Sequence, residues 1–342
     1  MEVQPSKLCG LTRAQVVHSL DVYSSISAWI GMSCGIILFN KWVLTIWMGG
    51  LFDLPITLTL LHMVFCSAAA FLVVHLQVGP KFEKPKMSTR VYVTGVLPIA
   101  ATFAASLWWS NGVYAYLSVS FLQMLKALTP AGVYFTGIAF GLEKFGFGNL
   151  AVMLSICGGI ALASYGELRF SLLGVTMQLA AIVADALRIV FIQILVQSRG
   201  LKLNPISTMY YVSPASAVML LVPWYCYEFE AVRYFYNFPE TLIAYRAGSV
   251  LLFSAVLAFL LNMTIYTLVT KTSALTLNVS GVLKDWALIG LSYYVFGDKV
   301  SPTSLLGYSI AFAAVVYYNY KKLQSMQEET SKKDPAEVCT PP

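Results

Sequence analysis

Lys126 lies in the run Phe121-Leu122-Gln123-Met124-Leu125-Lys126-Ala127-Leu128-Thr129-Pro130, and Lys284 in Val279-Ser280-Gly281-Val282-Leu283-Lys284-Asp285-Trp286. Each stands roughly halfway along a long apolar stretch, where its side chain cannot easily reach an interface. A charge at that depth costs about 3 kcal/mol on insertion scales unless it faces a wet cavity or a partner. The chain carries this cost twice, in similar surroundings. Ammonium and guanidinium groups bind phosphate oxygens strongly, so the two lysines read as halves of one anion site.

Other ionisable groups share that depth: Lys41 and Arg188, and the acids Asp185 and Asp285. Asp185 and Arg188 are three apart, so they share a helical face and can pair; a purely structural lock is the alternative for them. Asp285 directly follows Lys284 and points about 100° away round a helix, so spacing alone does not make it that lysine's counter-ion. Lys41 stands near the end of its run, where snorkelling is the alternative to a binding role. Tyr210 and Tyr211 follow Asn204-Pro205 and precede Ser213-Pro214, in a segment that proline loosens. Stacking on a nucleobase and core packing are both open for them. His62 reads as a hydrogen-bonded residue between helices. The six cysteines are scattered with no CxxC, and the loop acids form no DxD or HxxxH cluster. Neither metal, cofactor nor disulfide is expected, and the chain does not read as an enzyme.

The elements that must position these residues follow from composition. The chain has 342 residues, 58% apolar and 11% charged, too few charges to cover a soluble surface. A net charge of +6 is not a nucleic-acid signal here, because most lysines lie in tails and loops beside apolar runs. Windows of about 20 residues predict spans near 24–46, 55–77, 92–115, 118–141, 148–166, 170–198, 206–229, 243–270, 274–297 and 302–320. With a cytosolic N-terminus, fourteen basic residues fall on the cytosolic side, and only Arg169, Arg233, Arg246 and Lys299 on the other. Both termini are therefore expected in the cytosol. The sequons at Asn262 and Asn278 fall inside spans and should stay unglycosylated.

A weak internal repeat supports the same architecture. Lys126 is followed by Gly141-Leu142-Glu143-Lys144 at the end of its span, and Lys284 by Gly297-Asp298-Lys299 at the end of its own. The two units lie five helices apart, and an odd number forces opposite orientations. The fold class is thus an all-α membrane protein, ten transmembrane helices in two inverted five-helix repeats. Residues 1–23 form a cytosolic N-tail, about 24–166 and 170–322 the repeats, and 323–342 a disordered cytosolic tail.

With these residues in hand, the chain resembles the triose-phosphate translocator and nucleotide-sugar transporter family of the drug/metabolite transporter superfamily. The resemblance runs over nearly all of residues 25–322. It is carried by Phe39-Asn40-Lys41, Pro55 through His62-Met63, Ser106-Leu107-Trp108 through Asn111, and Tyr116 through Lys126. Leu203-Asn204-Pro205 with Tyr210-Tyr211-Val212, and Lys271 through Lys284-Asp285-Trp286, complete it. The Lys-Asp pair at 284–285 is similar to the plant-type "KD" subgroup, labelled probable sugar-phosphate/phosphate translocators. The resemblance implies an electroneutral antiporter of ten helices. It also implies that Gly281 and Lys284 lie near phosphate and sugar, and Tyr210 and Tyr211 near a base. Val212 and Ser213 stand where nucleotide-sugar members have asparagine. Asp285 stands where plastid members have a second phosphate-holding cation.

The expected substrate is a phosphorylated anion, and the expected surroundings are membrane lipid, with no nucleic acid; homodimerisation is left open. The leading reading is import of a nucleotide sugar into the Golgi or endomembrane lumen in exchange for a nucleoside monophosphate. The alternative is a sugar-phosphate/phosphate antiporter, with another endomembrane or the plastid envelope as alternative location. Lys126, Lys284, Gly281, Arg188, Tyr210, Tyr211, Lys41 and Asp285 are the candidate substrate residues.

Overall fold

Backbone amides in hydrocarbon have no water to bond, so apolar runs of this length close their hydrogen bonds internally as helices. A computed structural model describes residues 13–76, 87–199, 205–236, 241–271 and 274–333. Among them every regular element is helical, and no strand occurs. In order these are α1 (Arg13–Thr45), α2 (Pro55–Leu76), α3 (Thr89–Val91), α4 (Leu97–Gly112), α5 (Val119–Lys126), α6 (Thr129–Ala139) and α7 (Phe147–Tyr165). Then come α8 (Leu172–Arg199), α9 (Pro205–Tyr227), α10 (Phe229–Tyr236), α11 (Thr241–Lys271), α12 (Ala274–Phe296) and α13 (Pro302–Lys333). A π-turn over Tyr92–Val96 joins α3 to α4 without a break. Each predicted span falls on helical chain, and seven helices among the described residues are long and apolar enough to cross a membrane.

Two expectations differ from the structure. The span expected over 118–141 is two helices, because Thr129 and Pro130 open a new one. Proline is tolerated in a first helical turn but not inside a helix, so α5 stops at Lys126. Among the described residues the first helix already covers Arg13 onward, within the segment read as an N-tail. At the other end α13 continues to Lys333, where the expectation was disorder from 323. Lys, Glu and Gln fill that extension, and they carry helix well. Residues 334–342 lie outside the described residues.

Packing fixes which helices share a centre. α1 packs on α11 and α12; α4 on α8 and α9; α2 on α4, α9 and α11. α5 meets α7, α8 and α12, α6 meets α8, α9 meets α11, and α7 meets α13. The α7–α13 seam is the closest: a Cβ on Gly159 would come 2.7 Å from the Gly307 oxygen, and one on Gly307 2.5 Å from the Gly159 oxygen. Small residues let backbones touch where no hydrophobic effect drives helices together. Gly141 and Gly297, at the ends of α6 and α12, both take left-handed φ, 72° and 66°. Glycine ends a helix in that conformation without a Cβ penalty.

One buried polar cluster ties three helices together. Ser254 donates to Asn40 Oδ1 at 2.9 Å and lies 2.9 Å from His62 Nε2, which ties α1, α2 and α11. With that hydroxyl already donating, His62 Nε2 carries the proton. The expected interhelical role of His62 is what the geometry gives.

Candidate anion site

Lys126 ends α5, and its carbonyl accepts the Thr129 hydroxyl at 2.7 Å across the break into α6. A cation belongs at a helix C-terminus, where carbonyls point outward unsatisfied. The side chain is half-buried, within electrostatic range of Lys284, Asp285 and Asp185. The structure therefore brings the two lysines, one from each proposed repeat, to a common centre. Of the four cations assigned to spans, Lys126 is the one with no carboxylate within ion-pair distance among the described residues.

Lys284 differs. Its ammonium lies 3.3 Å from Asp285 Oδ1, a pairing that spacing alone left open. The angle between Cβ vectors is indeed large, but a lysine stem with four rotatable bonds curls back over it. Trp29 of α1 covers the same face: the Lys284 nitrogen is 5.8 Å from its ring centre. A Cβ on Gly281 would come 4.0 Å from the same ring. Gly281 and Lys284 thus share one aromatic wall.

Arg188 is also compensated. Its Nη2 lies 3.2 Å and its Nε 3.3 Å from Asp185 Oδ1, as the spacing predicts. Ser106 of α4 donates to the same oxygen at 3.0 Å, and Phe103 lies beneath the guanidinium at 5.2 Å. This cluster joins α4 to α8 while about a third of the Asp185 side chain stays exposed.

Lys41 is not snorkelling. It is 8% exposed, 3.9 Å from Asp298 Oδ2 and 3.4 Å from the Leu117 carbonyl, above the Phe296 ring. The turn at Gly297 brings Asp298 back inside, where burial demands a counter-ion. Asp298 also accepts the Val119 N–H at 3.1 Å and the Ser292 hydroxyl, so it caps α5 at the end opposite Lys126. The Ser118 hydroxyl caps the same helix by accepting the Phe121 N–H at 3.1 Å, and it donates to Glu167 at 3.4 Å. Burial raises the Glu167 carboxyl above its usual range. Lys41 therefore belongs to a latch at the N-terminus of α5, not to the centre.

Tyr210 and Tyr211 pack edge to face at 4.8 Å. Tyr210 stacks with Phe71 and His75 at the end of α2, and the Tyr211 carbonyl accepts the Tyr92 hydroxyl at 3.2 Å. The contacts described for this pair run to α2 and the π-turn, not to the lysines. A groove of about 580 Å³ opens between the π-turn and α8, lined by Val91, Thr94, Gly95, Pro98, Phe191, Ile194 and Leu195. None of those residues carries a charge.

Sequence reasoning passed over Glu228. Its carboxylate accepts the N–H groups of Ile56 at 2.8 Å and Thr57 at 2.6 Å, capping α2 from 172 residues away. Trp224 Nε1 donates to the Thr57 hydroxyl at 3.0 Å beside it. Its signal in sequence was an acid closing an apolar run; its target carried no signal.

The chain matches the Triose-phosphate Transporter family over residues 20–319. It is 46% identical over 327 residues to a probable sugar phosphate/phosphate translocator of Arabidopsis thaliana, covering 95% of this chain and 90% of that one. A second Arabidopsis protein of the same description is 44% identical over 330 residues, covering 96% and 92%. A third is 43% identical over 311 residues, covering 91% and 86%. Apolar helices in number, paired charges among them and similarity along nearly the whole length converge: this chain is a multi-pass membrane protein and belongs to the triose-phosphate transporter family.

Proposed function

We propose that the chain is an antiporter exchanging a phosphorylated sugar for inorganic phosphate, with Lys126 as the principal phosphate-binding residue. The observation that carries this reading is the uncompensated ammonium of Lys126 beside two compensated cations, Lys284 and Arg188. An anion that settles on Lys126 offsets its charge, so the loaded centre closes and reorients through a low-dielectric barrier more readily than the empty one. Obligatory exchange follows without an ion gradient. The Arabidopsis relatives, described as probable sugar phosphate/phosphate translocators, favour the same cargo.

In this reading the helices form ten spans in two inverted repeats. The first five are α1, α2, α3–α4, α5–α6 and α7; the second five are α8, α9, α11, α12 and α13. Exchanging the halves turns the α4–α8 contact into α11–α1, α4–α9 into α11–α2, α6–α8 into α12–α1 and α2–α4 into α9–α11. The contacts α2–α9, α5–α12 and α7–α13 map onto themselves. Every one of these pairs packs, which supports the two-fold plan and a site between its halves. Both termini lie in the cytosol, and the site opens alternately to cytosol and to an endomembrane lumen.

A second reading keeps fold and site and changes the cargo to a nucleotide sugar exchanged for a nucleoside monophosphate. Asp285 favours it, because pairing with Lys284 removes one cation from a site for a small dianion. Purified protein in liposomes loaded with inorganic phosphate tests both. Uptake of labelled sugar phosphate against internal phosphate is expected. Exchange only against internal nucleoside monophosphate would replace the first reading by the second.

A further inference from the structure

The stretch that carries Lys126 holds a second buried polar side chain that the proposed exchange does not yet use. Gln123 is fully buried, and both its Oε1 and its Nε2 are closed off from solvent with no hydrogen-bond partner among the described residues. Buried amides are paired almost without exception, because an orphaned donor or acceptor loses its water and gains nothing. Here both ends of one amide are orphaned, inside a helix packed on α7, α8 and α12. Gln178, on α8, has a similarly orphaned amide oxygen. Gln123 precedes Lys126 by three residues, so the two side chains are neighbours on one face of α5. A core position between apolar neighbours such as Leu122 and Met124 would be better filled by leucine or methionine if packing were all it did.

We infer that Gln123 is a specificity residue of the Lys126 site, engaging a hydroxyl of the sugar portion of the substrate while Lys126 holds the phosphate. This rests on the antiport reading above. The chemistry selects the hydroxyl over the phosphate. An amide presents a donor and an acceptor, and a hydroxyl both donates and accepts. Phosphate oxygens mostly accept, and they would face the amide oxygen as a like partner. In the arrangement described, helices close over the amide; its partner arrives when α5 separates from its neighbours to admit substrate. The unpaired amide then destabilises the empty protein and favours the loaded one, the sense that obligatory exchange requires.

The test uses the full-length protein in liposomes, as wild type, Gln123→Met and Gln123→Leu. Inorganic phosphate is one probe; the other is whichever triose, pentose or hexose phosphate the wild type exchanges best. Methionine keeps the volume of glutamine and removes both polar ends. The expected result is a five- to tenfold fall in the ratio of sugar-phosphate to phosphate affinity, the size of one or two neutral hydrogen bonds. Thermal stability of the empty protein should rise in the same variants. An unchanged affinity ratio, or variants that insert poorly or melt earlier, would overturn the inference and leave the antiport reading standing. A wild type that exchanges no phosphorylated compound would instead remove the antiport reading, and this inference with it.

Discussion

α5 and α12 each carry a lysine from a similar apolar run and surround it differently. α5 is eight residues long and ends at Lys126, whose ammonium has no carboxylate within ion-pair distance among the described residues. α12 runs unbroken over 23 residues, and Lys284 within it already holds Asp285 and faces Trp29. A lysine needs a counter-ion at membrane depth; α12 supplies it from the next residue, and α5 supplies none among the described residues. Similar motifs thus need not have similar surroundings.

The largest effect should follow from removing the unpaired charge. Lys126→Ala should insert and fold, since losing a midplane charge eases insertion, and it should raise the apparent Km for phosphate ten- to a hundredfold. Counterflow at matched protein-to-lipid ratio measures this. The latch should come next. Asp298→Asn leaves Lys41 buried without its counter-ion and weakens the cap on α5, which should cost on the order of 3 kcal/mol of stability. Thermal melting in detergent reads that loss; an unshifted melt would mean that the ion pair is not formed in solution.

Uncovering Lys284 should act more gently and in the opposite direction. Asp285→Asn frees the second ammonium and should tighten phosphate binding about two- to fivefold, given the modest strength of a partly exposed pair. Weaker binding in that variant would make Asp285 a substrate contact. The smallest effect concerns Glu228, outside the spans. Burial raises its carboxyl above the ordinary 4.5, despite the N–H groups that it accepts. A raised acid binds its proton more tightly when folded. Its stabilising contribution is therefore complete below 4.5 and fades as the pH rises through the raised value. Glu228→Gln should flatten that part of the curve of melting temperature against pH. An unchanged slope would remove Glu228 as its source.

The helices and the central cation were legible because each depends on local composition. An apolar window of membrane length is visible in any sequence, and a lysine in its middle is conspicuous. The break after Lys126 was signalled too, by Thr129-Pro130, but the apolar run across it hides the stop. The pairing of Lys284 with Asp285 was left open by helical angle, which fixes Cβ directions and ignores the reach of a lysine stem. Lys41 with Asp298 and Glu228 with the start of α2 were beyond reach for another reason. Their partners are far along the chain, and only the folded packing of α1, α5 and α12, or of α2 and α9, brings them together. For Tyr210 and Tyr211 base stacking and core packing were both open, because two aromatics in a loosened helix fit either. Their rings are engaged with Phe71, His75 and each other.

The central claim is that Lys126 binds phosphate while Lys284 is already balanced. Deleting each cation with its acid separates the two roles. Lys284→Ala alone should bind phosphate poorly, since it bares Asp285 beside the anion. Lys284→Ala combined with Asp285→Ala removes a neutral pair. Phosphate counterflow by that double variant, against Lys126→Ala and wild type in matched liposomes, is the direct measurement. The double variant should exchange phosphate with an apparent Km within about threefold of wild type, less than one charged contact is worth, while Lys126→Ala does not. A double variant as inactive as Lys126→Ala would show that both lysines grip the anion, and the asymmetry between α5 and α12 would be refuted.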